Sequence, residues 1–318
     1  MERRGLQGRM AVNDKTGISY PVYEVQQLPL VSIIIPSKDN VEILKQCIRS
    51  VYEHTTYPNY EIIVVDNGSS AQARMALQNF QEEYAFTYLY EPMDFNFSVM
   101  CNLGAKKAGG EYLLLLNDDM EVLADCEDWL DRMVGQASLR HVGAGAKLLY
   151  PNSTLIQHAG VTNTISGPGH KLKGLDDTQS YYYGRNKLVY DMIGVTAACL
   201  LIRTKVYRAL GGLYEGLRVA YNDVDLCFRL CEKGLCNVQR NDVVLYHHES
   251  LSRGDDMQDE GKFKRLMEEK DVLYRRHPRL YAQDPYNGTI RNTGAPEYEI
   301  RWLEGYEFAD LTGYRDEV

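Results

Sequence analysis

Apolar and polar stretches alternate through the first 120 residues in one repeating unit. Residues 30–36 (LVSIIIP) are an apolar run, Leu44, Cys47, Ile48 and Val51 then mark one helical face, and residues 60–65 (YEIIVV) open the unit again. Apolar runs without alternation read as strands buried on both faces, and the i, i+3, i+4, i+7 spacing reads as a helix packed on them. Pro36 is expected to stop the first strand, because it cannot donate to a central ladder. A polar helix follows to about residue 83, and residues 87–90 form a short third strand. The loop at 94–98 leads to a helix ended by Gly109-Gly110, and residues 111–116 (EYLLLL) form the next buried strand. Alternating β and α units of this length predict an α/β fold with right-handed connections, a mostly parallel central sheet and flanking helices.

The second half changes character. Residues 141–150, 155–162 and 188–202 read as strands, the first two joined as a hairpin through Pro151-Asn152. Between them, residues 166–183 are polar and rich in glycine and tyrosine, which predicts a mobile loop over a cleft. A short helix over 204–210, a helix opened by residues 221–225 (YNDVD), a short strand over 243–246 and a charged helix from about 258 to 276 complete the pattern. The predicted organisation is an N-terminal extension (1–28), a main domain (29–254) with a smaller mixed second sheet, and a C-terminal helical and irregular extension (255–318).

The strand at 111–116 runs directly into Asn117, Asp118 and Asp119. Open α/β sheets bind ligands at the carboxyl ends of their strands. Adjacent acids there repel unless a cation lies between them, so a divalent metal carrying a phosphorylated ligand fits; a simple turn cap is the alternative. Asp39, Asp66 and Asp119 each stand just past the end of a separate strand, so three acids gather on one rim. Asp39 with Glu42 also fits a capping box at the first helix. No G-x-G-x-x-G follows the first strand, where PSKDN stands instead, and no G-x-x-x-x-G-K-[ST] occurs, so a bound nucleotide is not held by a glycine-rich phosphate loop.

Composition narrows the partners. A net charge of −9 over 318 residues leaves no basic excess for nucleic acid. Tyrosine, at 24 against 7 Phe and 2 Trp, suits a cleft for polar, ring-shaped ligands. Seven cysteines without paired CxxC spacing read as reduced thiols of a cytoplasmic protein. No run approaches ~18 apolar residues, and the basic N-terminus has no apolar core of a signal peptide.

The pieces VSIIIPSKDN (31–40), YEIIVVDNGSS (60–70), CNLGAKKAGGEYLLLLNDD (101–119), YNDVDLCFRL (221–230) and HHESLSRG (247–254) occur in an order that resembles the family 2 glycosyltransferases, with an echo in DPYN near 284. These are inverting nucleotide-sugar enzymes of the GT-A fold, a Rossmann-like sheet with an acceptor-side sheet and a C-terminal helix. The chain is most similar to members that build bacterial cell-surface polysaccharides, rhamnosyltransferase-like enzymes included. The resemblance implies that Pro36, Lys38, Asp39 and Asp66 line the base and ribose pocket, and that Asn102 and Gly104 border the nucleotide. It places Asn117-Asp118-Asp119 at the D-x-D motif, with Asp119 and His247 as metal ligands and Asn117 as a departure that removes one anionic ligand. Asp223 matches the general base, in a pair whose usual first acid is here Asn222; Asp225 is the alternative base. The implied cofactor is Mn²⁺ or Mg²⁺, the donor a UDP- or dTDP-linked sugar, and the acceptor a saccharide or lipid-linked saccharide met peripherally at the inner face of the membrane. Two rival readings are a sugar-phosphate nucleotidyltransferase, disfavoured by PSKDN, and a non-catalytic carbohydrate- or nucleotide-binding domain of the same fold.

Overall fold

Strand pairing organises the computed structural model, which describes residues 7–14, 16–25, 27–140, 143–164, 167–248, 259–282 and 284–286. An N-terminal hairpin, β1 (Gly8–Val12) and β2 (Ser19–Tyr23), precedes the alternating unit. That unit runs β3 (Val31–Ser37), α1 (Val41–Glu53), β4 (Tyr60–Asp66), α2 (Ala71–Phe80), β5 (Thr87–Tyr90), α3 (Phe97–Lys107) and β6 (Tyr112–Leu116). The second half comprises β7 (Met120–Val122), α4 (Trp129–Arg140), β8 (Gly143–Leu149), β9 (Ile156–His158), β10 (Val161–Thr164), β11 (Gly167–His170), β12 (Val189–Met192), β13 (Cys199–Arg203), α5 (Thr204–Ala209), α6 (Asn222–Glu232), β14 (Asn237–His247), α7 (Glu260–Arg276) and α8 (Pro278–Ala282).

One mixed sheet carries both halves, in the order β12-β14-β8-β13-β6-β3-β4-β5, with β7 on β14 and β9 on β8. Strands β6, β3, β4 and β5 are parallel, as the alternation predicts. Beyond β6 the chain reverses: β13 pairs antiparallel with both β6 and β8, while β14 runs parallel to β8. The second-half strands therefore mostly extend the same sheet; among the described residues β10–β11 form a separate two-stranded sheet, as does the β1–β2 hairpin.

Residue alternation along buried strands builds two cores. Ile33 and Ile35 pack in the layer of Leu44 and Ile48 from α1, whereas Ile34 faces Met100 and Ala105 of α3 and Leu226 of α6. Gly104 is what lets α3 approach, because a Cβ there would fall well inside van der Waals contact with Ile34 Cγ2. Among the described residues no helix is long and apolar enough to cross a membrane.

Several expectations change. Pro36 does not end β3: it pairs opposite Val65, and tolerates this because pairing with β6 stops at Ile34. The predicted strand over 188–202 splits into β12 and β13, and the strand expected at 243–246 lengthens to eleven residues because buried Asn237, Gln239, Arg240 and Asn241 continue it. The segment predicted as a mobile loop is packed. Leu172 is buried with Leu149, Ile156 and Ala159, and Asp177 bonds both Lys147 (2.9 Å) and Lys187 (2.8 Å). The predicted extensions at both ends pack on the main body: the Tyr23 carbonyl lies against Gly135 of α4, and Leu273 of α7 is buried with Val161, Ile193, Val224 and Phe228. Residues 249–254, the start of the last helix near 258, and Asn287 lie outside the described residues.

Candidate functional site

The carboxyl ends of β3, β4 and β6 bring Asp39 and Asp66 to one rim with Asp118 in place of the expected Asp119, and each is held differently. Asp39 adopts a left-handed φ of 55°. Its N–H donates to Ser69 Oγ (2.8 Å) and its Oδ1 accepts from the Ser70 N–H (2.9 Å), so it staples the loop after β3 to the loop after β4. This replaces the capping box, since the N-cap of α1 is Asn40, without a side-chain cap bond. Asp66 is buried and accepts from the Ser69 N–H (2.7 Å) and the Tyr88 hydroxyl. Lys38 is exposed beside them and Pro36 is buried beneath.

Asp118 Oδ2 accepts from Ser37 Oγ (2.6 Å) and Asn40 Nδ2 (3.3 Å). Burial pushes its carboxyl up to about 6, against those hydrogen bonds. Asp119 points elsewhere. His247, the last residue of β14, reaches the same place from the far end of the chain because β14 pairs with β7, opposing His247 to Met120. Its Nε2 lies 3.1 Å from Asp119 Oδ1 and 3.3 Å from Asn117 Nδ2. The ring of His248 turns away to Glu121 (2.7 Å).

Sequence patterning gave no hint of Gln157, on β9. Its Oε1 lies 2.6 Å from His247 Nδ1, and its Nε2 faces the His247 carbonyl at 3.5 Å. The amide orientation that satisfies both atoms makes Nδ1–H the donor, which leaves Nε2 as the face turned to Asp119. Asn117 turns its amide nitrogen to that ring nitrogen, and its Oδ1, like Asp119 Oδ1, is buried without a hydrogen-bond donor. An imidazole nitrogen 3.1 Å from an unsatisfied carboxylate oxygen fits a divalent cation, and a mixed oxygen and nitrogen set suits Mn²⁺.

Asn117 and His247 open onto a cleft of about 350 Å³, whose other walls include Thr196, Ala197, Tyr221 and Asp223, with His170 and Lys173 at the β11 side. Asp223 stands in the first turn of α6. Its Oδ2 accepts from the Ala197 N–H (3.0 Å), and the Asn117 N–H donates to the Ala198 carbonyl (3.1 Å). One short backbone segment thus ties Asp223 to the end of β6.

Three residues singled out in the sequence serve the fold instead. Asp225 is fully buried, with Oδ2 bonded to Arg229 (2.8 Å) and Oδ1 to Arg276 (2.6 Å) and His277 (3.0 Å). Burial alone would raise its carboxyl; His277, Arg229 and Arg276 reverse this and bring it to about 2. A carboxylate so occupied cannot take a proton from an acceptor at the cleft, which removes Asp225 as the alternative base. Asn102 does not border the cleft either: its amide bonds the Leu213 carbonyl (2.9 Å) and Glu215 (3.0 Å), while its oxygen accepts from Tyr207 (2.7 Å) and the Leu213 N–H (3.0 Å). Gly104 is spent on the contact with Ile34.

A family model described as glycosyl transferase family 2 matches residues 32–211. An uncharacterized protein, y4gI, of Sinorhizobium fredii is 38% identical over 91% of this chain and 33% of its own length. The O-antigen biosynthesis protein RfbC of Myxococcus xanthus is 38% identical over 79% of this chain and 20% of its own length. The chain therefore spans a third or less of these curated relatives. The structure of GalNAc-T7 with UDP, GalNAc and Mn²⁺ superposes with a TM-score of 0.61, covering 87% of this chain and 55% of that one at 15% identity, a likeness of fold.

Proposed function

The chain belongs to glycosyl transferase family 2, and on that premise we propose that it moves a sugar from a UDP- or dTDP-linked donor to a hydroxyl of a saccharide or lipid-linked saccharide, with inversion, in cell-surface polysaccharide synthesis. The observation that carries the reading is one cleft lined by Asn117 and His247 at one wall and Asp223 at another. RfbC, a relative named for O-antigen biosynthesis, supports the pathway class. GalNAc-T7, solved with UDP and Mn²⁺, supports a nucleotide donor and a divalent metal on this fold. Lipid-linked acceptors would be met at the inner face of the membrane.

Asp119 and His247 would hold the metal, with Asn117 as a neutral third donor. When bound, a divalent cation supplies charge stabilisation to the departing diphosphate. Gln157 keeps His247 Nε2 turned toward that position. Asp66 and Asp39, with the Ser69–Ser70 turn they order, would floor the nucleoside pocket, and Asp118 would meet the ribose. Asp223 takes the proton of the acceptor hydroxyl as that oxygen attacks the anomeric carbon, a contribution of roughly 100- to 10,000-fold. Its present partners are backbone N–H groups, which orient the carboxylate without neutralising it.

The experiment is calorimetric binding of UDP, dTDP, GDP and ADP, each with Mn²⁺ or EDTA, to wild type and Asp119→Ala, followed by transfer assays on a panel of octyl glycosides. Metal-dependent binding of one diphosphate that vanishes in Asp119→Ala, and transfer lost in Asp223→Asn with donor binding kept, are expected. A folded protein that binds none of the four refutes the donor site. Binding without transfer to any acceptor would favour a non-catalytic domain.

A further inference from the structure

We infer that α7 positions the acceptor-activating carboxylate through Glu269, an inference resting on the assignment of Asp223 above. Glu269 is 5% exposed and lies some fifty residues downstream of its partners. Its Oε1 accepts from the N–H groups of Arg218 (2.9 Å) and Val219 (3.1 Å), and its Oε2 accepts from Ala220 (2.6 Å). Three successive backbone N–H groups converging on one point form an anion nest, here filled by the chain's own carboxylate.

The residue that follows the nest is Tyr221, at φ 60° and ψ 4°. A tyrosine in the left-handed region is strained, so its surroundings must over-determine it. Tyr221 is also the N-cap of α6, its carbonyl accepting from the Asp225 N–H (2.9 Å), and Asp223 follows two residues later. The direction in which Asp223 enters the cleft is therefore set by the turn that Glu269 holds.

Opposite the nest, α3 grips the same segment. Ser98 Oγ donates to the Leu217 carbonyl (2.6 Å) and the Phe97 N–H donates to the Arg218 carbonyl (2.8 Å). The far end of α7 closes the arrangement: Arg276 and His277 bond Asp225 one half-turn beyond Asp223. A buried carboxylate is a costly way to satisfy N–H groups that water or a carbonyl could serve. What it adds is short, charge-assisted bonds and a rigid geometry. Glu269 is on this account a positioning residue, acting on the acceptor step and not on the donor site.

The test uses the full chain with Glu269→Gln and Glu269→Asp. Gln keeps the volume but turns an NH₂ group against a backbone N–H, so the nest loses at least one bond. Amide hydrogen exchange at residues 218–221 should quicken at least about tenfold while β3 and β6 stay protected. The affinity for UDP or dTDP with Mn²⁺ should stay within about twofold, whereas kcat for transfer to whichever octyl glycoside wild type accepts should fall about 10- to 100-fold with donor KM unchanged. Glu269→Asp, which keeps the charge, should recover part of both. Unchanged exchange at 218–221 overturns the inference whether or not the protein transfers sugar. Unchanged kcat overturns it too, as does a parallel loss of nucleotide affinity and kcat, which would mark general destabilisation. A wild type that binds nucleotide but transfers nothing fails the parent reading, and the acceptor role of Glu269 with it, while the exchange arm reports separately on the nest.

Discussion

Gln157→Leu isolates what the partner of His247 does. In wild type the Nδ1–H bond to Gln157 spans 2.6 Å between two residues that are 7% and 3% exposed. Leucine strands a buried donor, at a cost of about 1–3 kcal/mol. The ring can avoid that cost by moving its proton to Nε2, where Asp119 Oδ1 waits at 3.1 Å. The proton then occupies the nitrogen a metal needs. Loss of a partner behind a metal-binding histidine typically weakens metal affinity about 10- to 100-fold, which is about 1.4 to 2.7 kcal/mol and matches the stranded-donor range. The assay is Mn²⁺ titration in the presence of UDP by calorimetry, with ¹⁵N NMR of the His247 ring in the metal-free protein reporting the tautomer. Affinity within twofold of wild type, with Nδ1–H unchanged, would refute the role assigned to Gln157.

Three further changes test the scaffold. Asp225→Asn leaves Arg229, Arg276 and His277 around a neutral amide; because Arg276 is partly exposed, a loss of about 3 kcal/mol, at the low end for a broken buried pair, is expected in urea unfolding at pH 7. With a folded value of about 2, the Asp225 contribution is present above the ordinary carboxylate value of about 4 and is lost as pH falls through 2, so wild type and variant should converge in acid. Burial depresses the Lys147 ammonium to about 8 against the attraction of Asp177. Between that value and its unfolded one the unfolded chain holds more protons, so stability from this group rises with pH, by about 2 kcal/mol from pH 7.5 to 9.5; the wild-type minus Lys147→Met difference in denaturant unfolding should carry that slope. Gly104→Ala drives a methyl into Ile34 Cγ2 and should cost about 1–3 kcal/mol. Adding Ile34→Ala should relieve part of it, and strict additivity of the two changes would contradict the close contact.

Buried strands and the helices on them were legible because nothing but a covered sheet explains runs such as LVSIIIP and EYLLLL. The strand-end acids were legible for the same reason: polarity appears abruptly where an apolar run stops. Residues 237–242 (NVQRND) were not legible as strand, because their polar side chains are satisfied at long range. Asn237 donates to the Ile193 and Cys227 carbonyls, and Arg240 donates to the Arg132 carbonyl and Gln136 Oε1 of α4. Gln157 was invisible for a related reason, since its role depends on a histidine 90 residues away. Asp39 read as a helix cap because Glu42 follows at the right spacing, yet its left-handed backbone directs the carboxylate to Ser70. Asp223 and Asp225 share one helical turn, and the sequence alone could not separate them. Helical rotation does: two residues turn the side chain from the cleft to the cations of α7.

Saturation is what distinguishes the acids of this molecule. Asp66, Asp118, Asp225 and Glu269 each meet donors that account for their burial. A fold that supplies Ser37, Ser69, Tyr88, Arg229 and three consecutive amides to those carboxylates has no lack of donors. Yet where β6 ends, Asn117 Oδ1 and Asp119 Oδ1 are buried without one, the latter beside His247 Nε2. Each unsatisfied acceptor costs about 1–3 kcal/mol, a burden that folding alone gives no reason to keep. A cation held there would repay it, beside the cleft that Asp223 also lines. The departure at Asn117 acquires a physical sense in that setting. A third carboxylate there would add repulsion to a site already holding Asp118 and Asp119, whereas an amide oxygen can face a cation without adding charge.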